Sequence, residues 1–166
     1  MRSAALAFLS FTFVPGTAEA AYDANGVALG ASEKAVVKRF PSAHCEPLQW
    51  KSRAADRRCD DAKISFAGVN ARITFYLKND KVEAFDVRFD TRDADRVAAF
   101  LKSRYGAPSA ETRDKVQTRR SEQRDIYKVR WEKDGERALL TALMEKRRAS
   151  LLVWRGNFED EIYRIQ

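Results

Sequence analysis

The chain has 166 residues and a formal net charge of +7 at neutral pH, because 31 Lys and Arg residues outnumber 24 Asp and Glu residues. Its one histidine and two cysteines are too few for the usual zinc sites, and no glycine-rich phosphate-binding loop occurs. These counts predict a small basic domain without a cofactor or a metal, and they disfavour enzymes that depend on either.

The first 20 residues have the pattern of a cleavable secretory signal peptide. Arg2 precedes an apolar run over residues 4–14, which is shorter than the about 20 residues that a membrane span needs. Ala18-Glu19-Ala20 then offers the small-x-small cleavage pattern. We expect an exported protein, periplasmic or secreted and without a transmembrane anchor, whose mature part is one domain over residues 21–166. An uncleaved anchor is the alternative.

The two cysteines, Cys45 and Cys59, are most simply explained by a disulfide, because disulfides form and persist in exported proteins. His44 beside Cys45 leaves a metal site or a Cys–His nucleophile as alternatives. A closed metal site needs about four ligands, and adjacent side chains seldom point at each other. No clear period runs through residues 42–60, so we expect a disulfide-tied loop there.

Before the cysteines the mature chain begins with a polar lead-in and a short helix. Residues 21–30 are polar and contain glycine. Ser32 can cap a helix that carries Val36 and Val37 on its buried side, and Pro41 ends it.

Three strands with period-two alternation follow, around residues 64–66, 73–77 and 85–89. Asn79-Asp80 between the last two is a tight-turn signal. The aromatic and branched residues of these strands then share one buried face. The outward positions are Lys63, Arg72, Thr74, Asp86 and Arg88.

One long helix and a second set of strands make up the rest of the chain. Apolar residues recur at helical spacing from Thr91 to Tyr105, and Gly106 ends this stripe. Beyond it, residues 113–121 predict a charged edge strand, and Asp134-Gly135 predicts a hairpin turn. Further strands are expected around 127–131, 138–143 and 151–154, with a turn at Lys146-Arg147-Arg148 and a short strand or turn at 161–165.

The two halves of the chain have the same order of elements, since each predicted helix is followed by antiparallel strands. We therefore predict an α+β fold. Two helix-plus-antiparallel-meander units, about 26–90 and 91–166, form one antiparallel sheet with the helices packed on one face and a charged, exposed second face. Chance similarity of two amphipathic helices is the alternative to an internal duplication.

The segment Gly26-Val27-Ala28-Leu29-Gly30-Ala31-Ser32, before a short helix that ends at Phe40-Pro41, resembles the start of small bacterial envelope domains. These are the SmpA/OmlA lipoprotein of the outer-membrane barrel-assembly machinery and the β-lactamase inhibitor protein. The resemblance covers roughly residues 26–108. It implies helices packed on an antiparallel sheet and a role in binding other proteins without catalysis. This chain lacks the lipidated cysteine of SmpA/OmlA, so membrane tethering is not implied.

No group of residues in the sequence indicates catalysis. His44 is the only histidine and adjoins the expected disulfide, so a Ser-His-Asp arrangement is not indicated. The carboxylates of Asp60-Asp61 and Glu159-Asp160-Glu161 fall in predicted loops and are interpreted as solvated charges, not as a glycosidase-type pair. We therefore predict that the protein is not an enzyme.

Basic residues cluster at two places, which are candidate contacts for an anion or a partner. They are Arg119, Arg120 and Arg124 near one strand junction, and Lys146, Arg147 and Arg148 in one turn. A merely solvated basic surface is the alternative. Because export is expected and no nucleic-acid-binding motif is present, the expected partners are an envelope protein, anionic lipid or lipopolysaccharide, and not nucleic acid. A second hypothesis is a secreted enzyme inhibitor that acts through the 42–60 disulfide loop.

The signal peptide makes a prediction about the mature N-terminus. N-terminal sequencing of protein recovered from the envelope fraction should begin at Ala21, because the predicted cleavage site ends at Ala20. Recovery of the full-length chain in the membrane pellet would contradict both the signal peptide and the separate mature domain.

Overall fold

A computed structural model describes residues 22–117 and 123–164 of the chain. Within these residues helices and strands are mixed, and eight strands form one antiparallel sheet. The predicted α+β class is therefore confirmed. The predicted signal peptide over residues 1–20 lies outside the described residues.

The first half of the fold starts with two short paired strands, followed by the predicted short helix and four strands of the large sheet. Its elements are β1 (Asp23–Ala24), β2 (Val27–Ala28), α1 (Glu33–Arg39), β3 (His44–Pro47), β4 (Arg57–Phe66), β5 (Val69–Lys78) and β6 (Lys81–Phe89). The Ser32 hydroxyl accepts a hydrogen bond from the Ala35 amide, which confirms the predicted cap of α1. Val36 is fully buried but Val37 is 41% exposed, so the buried side of this helix is narrower than expected.

The segment 42–60 is not the disulfide-tied loop that the sequence predicts. It contains β3 and the start of β4, and Cys45 and Cys59 are paired directly opposite each other in these strands. The predicted disulfide is present, and it joins two strands at the edge of the sheet. Strand β3 has four residues, one of them proline, which is too short to show a period of two.

The second half repeats the order of one helix followed by four strands. Its elements are a 3₁₀ turn (Thr91–Asp93), α2 (Ala94–Tyr105), β7 (Ala110–Gln117), β8 (Gln123–Lys133), β9 (Glu136–Leu143), a 3₁₀ turn (Met144–Lys146), β10 (Arg148–Arg155) and α3 (Phe158–Glu161). Gly106 ends α2 with a φ of 83°, which is open to glycine at little cost. The C-terminal tail begins as the helical turn α3 and forms no strand in the described residues.

The order of the sheet is β3-β4-β5-β6-β10-β9-β8-β7, so each half contributes four consecutive strands as a meander. The two meanders meet where β6 pairs with β10, and β3 and β7 form the two edges. Of the charged segment 113–121 that is predicted as an edge strand, residues 113–117 lie at an edge in β7, and residues 118–121 lie outside the described residues. The last strand of each half lies in the centre of the sheet.

One face of the sheet, which we call the helix face, carries the main core. Helices α1 and α2 pack there through Val36, Val97 and Leu101. The largest fully buried strand residues around them are Phe66, Ile73, Phe75, Leu77, Phe85, Trp131, Leu140 and Leu151. Burying side chains of this size stabilises the fold by about 1.5–3 kcal/mol each. Because side chains alternate between the two faces of a sheet, this burial also determines which strand residues point to the opposite face.

The opposite face of the sheet, which we call the open face, is partly covered, in contrast to the fully exposed face expected. Helix α3 lies there, and its Phe158 forms a second apolar cluster with Trp154 and Ile162. The segment 48–55 lies beside this cluster, and Trp50 Nε1 donates to the carbonyl oxygen of Ile162 at 2.9 Å. The helices are therefore not all on one face.

The lead-in predicted at residues 21–30 is also part of the fold. Tyr22 is buried in the main core. The carboxylate of Asp23 forms an ion pair with Arg104 of α2. The Tyr105 hydroxyl donates to the backbone carbonyl oxygen of Asp23 at 3.0 Å. These contacts attach the start of the described chain to the end of α2.

Removing the disulfide should destabilise the protein without dissolving the sheet. The two cysteines are 14 positions apart, and a loop of about 15 residues is worth about 3 kcal/mol in the chain-entropy estimate. The Cys45→Ala/Cys59→Ala variant should lose about that much free energy of unfolding in urea titrations, yet keep its far-ultraviolet circular dichroism. Val37→Ala, at an exposed position, is the control and should change little. Two reactive thiols in the native protein would contradict the disulfide.

Candidate functional site

A row of polar side chains crosses the middle of the open face. Arg72 of β5 is paired with Arg88 of β6, which is paired with Ser150 of β10. Ser150 is paired in turn with Thr141 of β9, and Thr141 with Lys128 of β8. Directly paired residues point to the same face and lie about 5 Å apart. Five neighbouring strands therefore present hydrogen-bond donors in one line, without a carboxylate among them.

Arg72 and Arg88 form a like-charged pair in this row. Both are exposed, and like charges directly opposite each other in a sheet are destabilising. Arg88 has a compensating carboxylate, but Arg72 forms no ion pair within the described residues. The pair therefore opposes the stability of the sheet and creates a positive potential that suits an anion.

An open groove of about 560 Å³ lies beside this pair. We call it the arginine groove, because its lining includes Arg72, Arg88, Arg147 and Arg148. Arg147 comes from the connection between β9 and β10 and Arg148 is the first residue of β10, whereas Arg72 and Arg88 come from β5 and β6. The hydroxyl side chains of the polar row line the groove as well. Cations from three separate segments of the chain thus meet at one place.

Asp86 holds Arg88 in position from the same strand. Nε of Arg88 donates to Oδ2 of Asp86 at 2.6 Å, and the Asp86 side chain is 11% exposed against 50% for Arg88. Oδ1 of Asp86 accepts no hydrogen bond from the described residues. Burial raises the pKa of the Asp86 carboxyl, and the charges of Arg88 and Arg72 oppose this only in part. Burial of the Asp86 carboxylate therefore lowers the stability of the protein, while the same carboxylate orients the guanidinium group of Arg88.

The carboxylate that lines the groove, Asp90, is held by two arginines. It accepts hydrogen bonds from the Arg92 side chain, which lower the pKa of the Asp90 carboxyl. Nε of Arg147 lies 3.7 Å from Asp90 Oδ2. Arg147 itself has left-handed backbone angles, φ 50° and ψ 33°, which cost about 1–2 kcal/mol for a residue with a Cβ. The turn therefore adopts a left-handed conformation at this position without a glycine.

The structure brings together only part of the predicted contact residues. Arg147 and Arg148 line the arginine groove, as the prediction of a basic contact at this turn requires. Lys146 is exposed in the 3₁₀ turn but is outside the lining. Of the other predicted contacts, Arg124 lies in β8, where it is paired with Val116 of the edge strand β7, and Arg119 and Arg120 lie outside the described residues.

Arg72 and Arg88 were not predicted as site residues, although both were predicted to lie on the outward face. In a regular hairpin with its turn at Asn79-Asp80, Arg72 of β5 would be paired with Val87 of β6. The observed register has a bulge between Tyr76 and Leu77, which moves Arg72 opposite Arg88. The sequence contains one signal of this shift. The core residues of both strands, such as Phe75 and Phe85, have odd numbers, but a regular hairpin with a two-residue turn at Asn79-Asp80 pairs odd positions with even ones. Only a bulge brings the core residues of the two strands opposite each other.

The remaining candidates for metal or nucleophile chemistry have other partners. The His44 side chain is 80% exposed and lies 3.9 Å from Glu46. The carboxylate of Glu33 lies near the two cysteine sulfurs, but both sulfurs belong to the disulfide. Glu33 also accepts two hydrogen bonds from Arg57, at 2.6 and 3.0 Å. This grouping lacks the thiolates that bind a metal.

The pair Asp60-Asp61 is not in a loop, as the sequence suggested, but in β4. Adjacent strand residues point to opposite faces. Asp61 is buried and accepts a hydrogen bond from the Ser42 hydroxyl at 2.7 Å. Asp60 accepts one from the Thr74 hydroxyl at 2.6 Å. The two carboxylates therefore hold neighbouring structure separately and cannot act on one substrate as an acid–base pair.

Comparison with known proteins places the chain in no family. No protein-family model, curated protein sequence or solved structure matches it. Among residues 22–117 and 123–164, no helix combines the length and the apolar character needed to cross a lipid bilayer. The resemblance to SmpA/OmlA therefore stays a prediction.

Asp86→Asn should change the pH dependence of stability in one direction. The raised pKa of Asp86 means that the folded protein takes up this proton more readily than the unfolded chain. Stability then falls as pH rises from the ordinary aspartate pKa, about 3.9, to the raised one. The free energy of unfolding of wild type minus that of Asp86→Asn should fall over this interval in urea titrations and stay constant above it.

The charged and titratable side chains nearest to Asp86 do not change their protonation over this pH interval. Burial raises the pKa of Tyr76, which lies near Asp86, to about 12, so this tyrosine stays neutral throughout the interval. Arg88 and Arg72 stay charged. A difference in the free energy of unfolding that rises with pH would show that the ion pair with Arg88 outweighs burial, and would contradict the raised pKa.

Proposed function

We propose that this chain is an exported, non-catalytic envelope protein, periplasmic or secreted, whose open face binds an anionic envelope component or a protein partner. The observation that carries the proposal is the arginine groove, where Arg72, Arg88, Arg147 and Arg148 converge from three segments. Repulsion between these cations lowers the stability of the protein, whereas the same cluster of charges would attract and hold an anion.

The chemistry of the groove supports binding and not reaction. Arginine stays protonated in proteins, so it cannot serve as a general base or acid near neutral pH. Asp90 is held by Arg92 and Arg147. In the described part of the chain, no carboxylate or imidazole is hydrogen-bonded to the hydroxyl of Ser150 or Thr141. The groove can therefore neutralise and orient an anion, but it offers no activated nucleophile.

Export would bring this groove to the anions of the envelope. Lipid head groups and the phosphates of lipopolysaccharide are abundant there, and a basic surface near anionic lipid gains about 1 kcal/mol per Lys or Arg. An acidic face of an envelope protein is the other expected partner. Nucleic acid is not expected, because the predicted compartment contains little of it.

The topology of the sheet supports the same proposal. Two four-stranded meanders, each preceded by a helix, agree with an internal duplication into units at about 26–90 and 91–166. The arrangement also agrees with the resemblance to SmpA/OmlA and to the β-lactamase inhibitor protein, whose domains bind other proteins without catalysis. Binding through an exposed sheet is consistent with both.

The alternative, an enzyme inhibitor acting through the segment 42–60, has no specific observation in its favour. Two parts of this segment are strands. Residues 48–55 between them lie against the open face, where Ser52 Oγ donates to the carbonyl oxygen of Glu161 at 3.1 Å. A segment held in this way does not project as an inhibitory loop into a cleft.

Neutralising the predicted basic turn should weaken binding to anionic vesicles or lipopolysaccharide. The variant is Lys146→Gln/Arg147→Gln/Arg148→Gln. Three charges at about 1 kcal/mol each correspond to about 100-fold. Wild-type binding should also fall steeply with salt, because the screening length is about 8 Å at physiological ionic strength. Co-sedimentation across a salt series measures both effects.

The matched control removes three exposed cations outside the groove, in Lys34→Gln/Lys38→Gln/Lys81→Gln. It should weaken binding far less, because these charges do not add their potentials at one place. Circular dichroism should show both variants folded, since surface changes usually stay within about 0.5 kcal/mol. Equal losses in the two variants would show that net charge alone drives binding. If wild type does not bind at low salt, the anionic-surface form of the proposal is wrong.

A further inference from the structure

All the basic side chains that line the arginine groove are arginines, although the chain also contains lysines. A guanidinium group is planar and carries five donors in a fork that matches two oxygens of an oxyanion, whereas a lysine ammonium acts as a point charge. General attraction would need only positive charge. The use of arginine at every basic position indicates a ligand group that accepts paired hydrogen bonds.

Donors remain unused at three of these arginines. Arg88 uses its Nε on Asp86, and its two terminal nitrogens have no hydrogen-bond partner within the described residues. Arg72, directly opposite, and Arg148 form no ion pair there. Arg148 and Ser150 lie two positions apart on β10 and therefore point to the same face. Donors from β5, β6 and β10 thus surround one part of the groove.

We propose that the arginine groove binds a phosphate group, with Arg72, Arg88 and Arg148 as its donors; this rests on the proposed function and names the ligand chemistry. A phosphate has a tetrahedral set of acceptor oxygens and up to two negative charges, so three guanidinium groups can contact it from different sides. A carboxylate has two oxygens in one plane and a single charge. The phosphate also relieves the repulsion between Arg72 and Arg88.

In this site Asp86 is a positioning residue. It holds Nε of Arg88 and leaves the terminal nitrogens of Arg88 directed away from that contact, since the guanidinium is rigid and planar. Asp86→Asn makes the groove more positive by one charge but weakens the hold on Arg88. Long-range attraction therefore predicts tighter phosphate binding in this variant, whereas a positioned site predicts weaker binding. The sign of the change separates the two accounts.

The test is a titration of the mature protein with inorganic phosphate at constant ionic strength, with chloride as the balancing anion. Backbone amide resonances in β5, β6 and the β9–β10 connection should shift and saturate. Arg88→Gln should weaken binding about 10- to 100-fold, the range for losing a hydrogen bond to a charged group. Arg88→Lys keeps the charge but lacks the fork, and it should also weaken binding. Asp86→Asn should weaken it several-fold, and Lys34→Gln should not change it.

Three results would overturn the phosphate site. They are the absence of saturable shifts in these strands, equal binding by Arg88→Lys and wild type, and tighter binding by Asp86→Asn. The amide spectrum of each variant reports its folding directly, so a loss of binding caused by unfolding is recognised as such. Arg72→Gln, on the neighbouring strand, repeats the test without touching the contact between Asp86 and Arg88.

A vesicle experiment then distinguishes the source of the phosphate. Vesicles of phosphatidylcholine with phosphatidate should bind wild type and be displaced by inorganic phosphate if a lipid head group is the ligand. If inorganic phosphate binds and the vesicles do not, the ligand is a soluble phosphate compound. If vesicles bind with strong salt dependence, but Arg88→Gln binds them as wild type does and inorganic phosphate does not bind, the phosphate site is wrong and the proposed function stands. If neither inorganic phosphate nor the vesicles bind, the phosphate site and the anionic-surface form of the proposed function are both wrong.

Discussion

The pairing of β6 with β10 is the interaction on which the rest of the structure depends. It joins the two meanders, and its register places Phe85 opposite Val153 and Arg88 opposite Ser150. A slip of one residue would turn every side chain of one half to the other face. Val153 would then leave the core and Ser150 would enter it. The burial that prevents this slip also keeps the polar row in line across both halves.

Stability and binding are separated onto the two faces of this sheet. The helix face contains the main apolar core, and each large side chain there contributes about 1.5–3 kcal/mol. The open face contains features that oppose stability: the like-charged pair of Arg72 and Arg88, the buried carboxylate of Asp86 and the left-handed backbone of Arg147. The left-handed backbone costs about 1–2 kcal/mol, and the like-charged pair and the buried carboxylate lower stability further. The core of the helix face can offset these costs. Features that break local rules in this way are expected at functional sites.

The helices and long strands could be predicted because their periods are long and their burial is one-sided. Helix α2 and the strands β5, β8 and β9 all show this. The short strand β3 could not be predicted in this way. Nor could the contacts of the lead-in, because the buried carboxylate of Asp23 has its cationic partner, Arg104, 81 positions further along the chain. The site was half predicted. Arg147 and Arg148 are adjacent in sequence, whereas Arg72 and Arg88 meet through a bulge and join the turn only through the pairing of β6 with β10. No local pattern contains that pairing.

The cover on the open face explains why Asp86 can hold Arg88. Strand β10 changes character along this face, from Trp154 under α3 to Ser150 and Arg148 at the groove. Its partner β6 changes in parallel, with Asp86 at the intermediate position opposite Leu152. The apolar cluster therefore ends next to Asp86 and excludes water from its carboxylate. A hydrogen bond in such a place is electrostatically stronger than one in water. The C-terminal helix, remote from the groove in sequence, thus contributes to the orientation of its central arginine.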